Sequence, residues 1–437
     1  MASRRHWVDR YWFPLCAIAI IVGSDYKYRT RSTTQSIGGT PDLAILLELG
    51  IYALVGLYLL ARHASPPRAM RVPAPVLMSL FYLFMLALSV SYTPFRSFGA
   101  VRVWEMSIVI GLAMAAAFQA ERAHMHRFAH AFLILVAVSV LYGIAVPSTP
   151  VSKLQEGRFT WLAIHPNVSG IFVGIAVVVA AIYLYWTPSR ASRPGPHWPP
   201  GVYGVIFAIV LYGLIATKTR AAVLGAIIGL LVMLWFAMRG RRRIELISAL
   251  VISGIGVYIA AAGVIATYFA RGESAARLAS LNARTDLWSS AWVAILEQPL
   301  WGHGVGSTRG IFLDSIGLGG AHNAVINVLV DLGFVGCAVW LGVILTLVVT
   351  LLRFRSPDPS LMLDRALLLA IIAFLMTDGF FVQEPGDVTN VGSTWLYMSV
   401  AWSVVLSRAA QQRRRRVAAT LQGRPVPEAV AGEPYPL

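Results

Sequence analysis

Three stretches of the 437-residue sequence carry side chains that could do chemistry. The first runs Glu156-Gly-Arg158-Phe-Thr-Trp-Leu-Ala-Ile-His165-Pro166-Asn167. Arg158 could hold an anion. The stretch can equally be turn and cap chemistry, since Pro166 suits the first turn of a helix and Asn167 or His165 could cap it. The second is Lys218-Thr-Arg220, directly before an apolar run. Two cations at a helix start face an unfavourable dipole, which an anion held between them and the backbone N–H groups would relieve. A tight loop with snorkelling cations is the plainer alternative. The third opens on Asn282-Ala-Arg284-Thr-Asp286-Leu-Trp288 and passes through Trp292 to Pro299-Leu-Trp-Gly302-His303-Gly304-Val-Gly306. It closes on Gly319-Gly320-Ala-His322-Asn323. His322 falls at the N-terminus of the apolar run that follows, where the helix dipole keeps an imidazole neutral, as a general base must be.

The elements that must position these residues are apolar. Hydrophobic residues make up 57% of the chain, charged residues 13%, and the mean hydropathy is +0.68. A soluble chain is about a quarter charged. The apolar residues fall in runs of about 20, enough to cross roughly 30 Å of hydrocarbon. Twelve spans are expected, at 11–24, 42–61, 73–93, 98–119, 128–147, 165–186, 201–217, 220–238, 244–270, 321–352, 363–382 and 391–408. The fold class is therefore an all-α polytopic membrane protein, a transmembrane domain over 1–412 with one long loop at 271–320. A disordered cytoplasmic tail is expected over 413–437. The pair 201–217 and 220–238 could instead be one re-entrant unit, because Thr217-Lys218-Thr219 is so short a connector. The first run lacks a small-residue cleavage site and reads as a retained helix rather than a signal peptide. Cys16 and Cys337 both lie in apolar runs and suggest neither a disulfide nor a metal site.

Basic residues orient the bundle. With the N-terminus in the cytoplasm and the spans alternating, 23 of the 36 Lys and Arg fall on the cytoplasmic side, and both termini lie there. The formal charge of +16 is thus mainly a topology signal, and no basic domain suited to nucleic acid stands out. Thirteen cations remain on the outer side, several at span ends: Lys27, Arg29, Arg31, Arg96, Arg102, Lys153, Arg158, Lys218, Arg220, Arg271, Arg277, Arg284 and Arg309. Arginines where topology disfavours them suggest an anionic ligand, because the guanidinium fork matches phosphate. Lipid head groups could also account for them. Within the long loop, Leu281, Trp288, Trp292 and Ile295 recur at helical spacing and predict an amphipathic helix at the membrane interface.

The run from Arg284 through Trp288, Trp292, Pro299-Leu-Trp-Gly-His-Gly-Val-Gly306 and His322-Asn323 to Gly333-Phe-Val-Gly336 resembles the O-antigen ligase and polymerase superfamily. The stretches at 158–167 and 219–222 are similar to that family as well, although Lys218-Thr219 stands where a small-polar pair would be expected. The resemblance implies a GT-C-type glycosyltransferase fold and an enzyme of the inner membrane with its active site facing the periplasm. Ligases of this kind join a polysaccharide carried on undecaprenyl diphosphate to the sugar core of lipid A. Under that reading His322 is the general base, and Arg158, Arg220, Arg284 and Lys218 meet the diphosphate. Asn323, His303, His165 and Asp387 support or bind the acceptor, with Glu384 beside Asp387. Direct displacement would invert the anomeric centre. No cofactor is expected, and no metal, since no D-x-D triplet occurs and no acidic cluster is readable on the outer side. A polymerase or a protein O-oligosaccharyltransferase would share these motifs. A solute transporter would place polar residues at mid-span, where few are found.

Overall fold

The computed structural model describes the chain outside residues 1, 28–41, 63–71, 149–154, 163, 187–194, 239, 271–283, 317–319 and 422–437. Arg29, Arg31, Lys153, Arg271, Arg277, Leu281, Asn282 and Gly319, named above, therefore lie outside the described residues. Among those described the protein is all helical, with fourteen helices. They are α1 Ala2–Asp25, α2 Leu43–Arg62, α3 Ala74–Ser89, α4 Arg96–Gln119, α5 Arg122–Ala145, α6 Pro166–Trp186 and α7 Pro200–Ala216. There follow α8 Arg220–Ala237, α9 Arg241–Ala270, α10 Arg284–Glu297, α11 Ser307–Ile316, α12 Ala324–Arg353, α13 Pro359–Gly379 and α14 Val391–Leu421. Each of the twelve apolar runs overlies one helix, and α10 and α11 lie in the long loop.

Among the described residues eight helices are long and apolar enough to cross a membrane, and α3 and α7 are shorter apolar helices. Their outward faces are what a bilayer requires. On α2 Leu46, Leu54, Leu57 and Leu60 are exposed, and on α9 Ile252, Ile259 and Val264. Contiguous apolar surface of that extent does not face water in a soluble monomer. The core lies instead around α6, α13 and the first half of α14, up to Leu406, most of whose residues are buried.

Close helix contacts are made by small residues, as in membranes generally. Phe374 of α13 fills a slot formed by Gly174 of α6 and by Gly225 of α8. A Cβ at Gly174 would meet the Phe374 ring at 2.3 Å, and one at Gly225 at 3.0 Å. Gly229, one turn further, lies against the Ala370 carbonyl, where a Cβ would come to 3.0 Å. The helices α7 and α8 are thus separate elements, α8 being held by α13 and α6 rather than folded back on α7.

The alternation inferred from charge reappears as two ends. Residues assigned to the inner side meet one another: Arg62 bonds Asp9 and Gln119, Arg122 bonds Asp364 and Ser360, Arg408 bonds the Ala117 carbonyl, and Arg413 pairs with Asp358. At the other end Lys27 and Arg102 pair with Glu48, and Tyr92 donates to the Trp301 carbonyl.

Two local expectations differ from the structure. The helix α14 runs on to Leu421, so the basic run Arg413–Arg416 is helical: no Gly or Pro interrupts the chain before Gly423, and helix-forming Ala, Gln and Arg continue the register. The amphipathic helix α10 buries Leu287, Ala291, Ala294 and Ile295, with Trp288 only partly covered and Trp292 exposed. The inward face is turned about one residue from the tryptophan stripe, because alanines allow α10 to approach closely. Trp292, Val293 and Leu296 then form a second, outward apolar face.

Candidate active site

The helix α12 is broken at Gly333, whose backbone has φ 65° and ψ −169°. From Gly333 to Arg353 the chain spans about 30 Å at 1.5 Å per residue, the thickness of a hydrocarbon core. The segment before it, from Ala324, is therefore free of the duty of crossing. The glycine-rich turn docks into the break. Phe334 N–H donates to the Pro299 carbonyl at 2.8 Å and Val335 N–H to Leu300 at 3.2 Å. In the other direction His303 N–H donates to the Val330 carbonyl at 2.9 Å and Gly304 N–H to Asp331 at 2.8 Å. The Asp331 carboxylate accepts from Gly306 N–H at 3.0 Å, from Thr308 N–H at 2.7 Å, and from the Thr308 hydroxyl. Backbone groups freed by the break are thus satisfied within the protein, as apolar surroundings demand.

This outer segment begins at His322 and Asn323. The Asn323 side chain caps it, accepting from Ile326 N–H at 3.0 Å and donating to the Phe380 carbonyl at 3.0 Å. His322 holds a left-handed backbone (φ 49°), a conformation that costs energy outside glycine and that clusters at functional sites. Trp288 of α10 donates its indole N–H to the carbonyl of Ala321 at 3.1 Å. Burial, and then the nearby Arg284 guanidinium, lower the His322 imidazole from 6.5 to about 4. The ring is neutral at physiological pH, through burial and Arg284 rather than the helix dipole invoked from the sequence.

Arg284 opens α10 and lies over the Phe381 ring, 5.8 Å from its centroid. It is also near enough to Asp378 for their charges to interact. Arg158 is tied to the α7–α8 connector and the start of α6: Nε donates to the Thr217 carbonyl at 3.0 Å, and Nη2 to Asn167 Oδ1 at 2.8 Å and Thr219 Oγ1 at 2.9 Å. His165 caps α6, its Nδ1 accepting from Asn167 N–H at 3.1 Å. The surrounding protein, then Arg158 and His322, lower its affinity for a proton, although its exposed side to solvent limits the effect. Lys218 takes a left-handed backbone (φ 50°) and its Nζ reaches the loop at Gly157. His303 is turned away to α10, its Nε2 at 2.8 Å from the Ala294 carbonyl, so it fastens the loop.

Arg220 is brought to the same level by the glycine slot. Gly225 and Phe374 are in contact, and five residues outward along each helix, about 7.5 Å, lie Arg220 on α8 and Gly379 on α13. A Cβ at Gly379 would meet that of Ala324 at 3.4 Å. Arg284 thus lies near His322, Arg158 and His322 both lie near His165, and Arg220 stands at the same level of the bundle.

Of the carboxylates beside these residues, sequence reasoning named Glu384 and Asp387 but missed Asp25, Asp331 and Asp378. Asp378 is buried on α13, and Asp25, Asp331, Glu384 and Asp387 line one cavity. The sequence shows no acidic cluster because these come from α1, α12 and the loop after α13; a lone acid in an apolar run, as at Asp331, was the available signal. Among the described residues no three His, Cys, Asp or Glu are placed to hold a metal ion. Burial, and then Asp25, Asp378 and Asp387, push the Glu384 carboxyl well above its ordinary value.

No curated protein matches the chain. A family model described as O-antigen ligase matches residues 205–341, a little under a third of the chain. The matched segment runs from α7 into α12 and contains Lys218, Arg220, Arg284, His303, His322 and Asn323. The resemblance read from the motifs is therefore shown over this segment, which is similar to the O-antigen ligase family.

Proposed function

We propose that the protein is a metal-independent glycosyltransferase that joins an undecaprenyl-diphosphate-linked O-antigen polysaccharide to the lipid A-core oligosaccharide. It has twelve spans in a GT-C-type arrangement, and both termini are cytoplasmic. The reaction takes place at the periplasmic face of the inner membrane. One observation carries this reading: a half-buried, neutral His322 lies beside Arg284, at the level of Arg220.

A core-sugar hydroxyl loses its proton to the His322 imidazole as its oxygen attacks the anomeric carbon. The bond from that carbon to the diphosphate oxygen breaks on the opposite face, inverting the centre. The electron pair leaves with undecaprenyl diphosphate, and His322 returns the proton to solvent. Arg220 and Arg284, with Lys218 and the charge of Arg158, stabilise the diphosphate as its charge develops. Asn323 and His165 hold the two helix starts that frame the reacting groups.

Electrophoresis of lipopolysaccharide from cells lacking the protein tests the assignment. Loss of the whole long-chain ladder, with carrier-linked polymer retained, is the expected outcome. A core bearing a single repeat unit would assign a polymerase instead, and an unchanged profile would refute both.

A further inference from the structure

Beside the histidine turn, on the far side of the loop 380–390, lies a polar cavity of about 170 Å³. It is far larger than the roughly 30 Å³ of a single water, yet below the 300 Å³ or more of a drug-sized ligand's pocket. Its walls come from five parts of the chain: Asp25 and Lys27, Phe98 and Arg102, Arg309, Asp331, and Glu384 with Asp387. Most of these groups have partners inside the protein. Arg102 is held by Glu105 at 2.7 Å, and Asp331 by the Gly306 and Thr308 amides. Glu384 is different. It is 7% exposed, and its Oε2 makes no hydrogen bond of good geometry, the Gly392 N–H approaching without closing one. A buried carboxyl oxygen left so costs free energy unless something completes it.

The cavity is coupled to the reacting groups by contact. Gly386, next to Asp387, lies against Ala324, where a Cβ would come to 2.3 Å from the carbonyl oxygen. Gly320 lies against Gln383, whose Nε2 donates to Asp387 Oδ2 at 3.0 Å. A ligand in this space therefore sits within a few residues of His322 on either side.

We propose that this cavity is a subsite for one pyranose unit of a glycan, with Glu384 and Asp387 bonding ring hydroxyls and Phe98 offering an aromatic face. A sugar ring carries donors and acceptors at every edge, which suits walls that alternate carboxylates with Arg and Lys. It also has apolar C–H faces, which suit Phe98. The proposal rests on the glycosyl-transfer reading for its source of sugar, which is either the accepting core or the repeat unit of the donor.

Binding tests it without requiring transfer. Two lipid-free probes are used: core oligosaccharide released from lipopolysaccharide by mild acid, and repeat-unit oligosaccharide released from the carrier. Each is titrated by calorimetry into the purified full chain in nanodiscs, as wild type, Glu384→Gln, Asp387→Asn, and Glu245→Gln on the exposed α9 as control. The expected result is saturable binding of one probe, weakened about ten-fold by each cavity variant, the loss of one hydrogen bond, and unchanged in the control. Binding of the core probe assigns the acceptor, and binding of the repeat unit the donor. Absence of binding by both probes, or binding unaffected by both variants when they fold with wild-type melting temperatures, overturns the subsite. Should one variant not fold, the other decides. If binding is as expected but the wild type transfers no glycan, the subsite stands and the transferase reading falls.

Discussion

Gly302 and Gly333 meet backbone to backbone: a Cβ on Gly302 would lie 2.5 Å from the Gly333 amide nitrogen, and one on Gly333 2.4 Å from the Leu300 carbonyl. This contact sets where α12 breaks and so where its first residues point. Gly333→Ala should therefore harm more than an ordinary helix glycine. A left-handed backbone costs an L-residue about 1–2 kcal/mol, and overpacking adds about 1–3 kcal/mol. Thermal unfolding in detergent should show a clear drop, with Gly342→Ala, which faces only the flexible end of Met78, near wild type. Equal melting temperatures for the two would dissolve the argument.

Proton affinity at His322 makes a second prediction. The group is lowered from 6.5 to about 4, so its neutral form persists as pH falls through 6.5. The acid limb of kcat/KM, which reports the free enzyme, should lie near 4. Arg284 is one cause of the lowering, so Arg284→Gln should move the limb upward, burial still holding it below 6.5. Bound diphosphate is an opposite charge and favours imidazolium, so the limb of kcat should lie above that of kcat/KM. A wild-type kcat/KM limb at 6.5 would contradict the assignment.

Substitution separates base from anion holders. His322→Ala should lower transfer by about 10²–10⁴ with donor binding retained. Arg220→Ala and Arg284→Ala should weaken donor binding roughly ten- to a hundred-fold. Lysine should restore only part, lacking the bidentate fork. Arg158→Ala should also reduce accumulation in the membrane, since three hydrogen bonds tie loops through it. A well-folded His322→Ala with near wild-type transfer ends the base assignment.

The helices were legible because burial in lipid writes itself as long apolar runs, and His322 was legible because it precedes one. The two faces of α10 were not: tryptophans dominate a hydrophobic pattern, whereas Ala291 and Ala294 decide which side packs. Nor was the gathering of Asp25, Asp331 and Glu384, which depends on three elements meeting. Arg158 looked like a ligand residue from its side of the membrane, and spacing alone could not reveal that Thr217, Thr219 and Asn167 claim its donors.

Topology is open to labelling. In a chain with Cys16 and Cys337 changed to Ser, a cysteine at exposed Ser289 should react with an impermeant thiol reagent in intact spheroplasts, and one at exposed Pro357 only after lysis. The reverse pattern would invert the bundle.

If arginines rather than a divalent cation meet the departing diphosphate, purified protein should transfer glycan in excess EDTA. Activity lost under EDTA and restored by Mg²⁺ or Mn²⁺ would show that distant carboxylates assemble a cation site.

The break in α12 also bears on biogenesis. Pro299 and Leu300, whose carbonyls receive the amides of Phe334 and Val335, leave the ribosome before Gly333 does. Synthesis therefore delivers the loop ahead of the helix that needs it. If Gly333 were inserted first, its broken backbone would meet lipid with those amides unmatched. A circular permutation that placed 299–304 after α12 would keep every contact of the finished protein and lose that order.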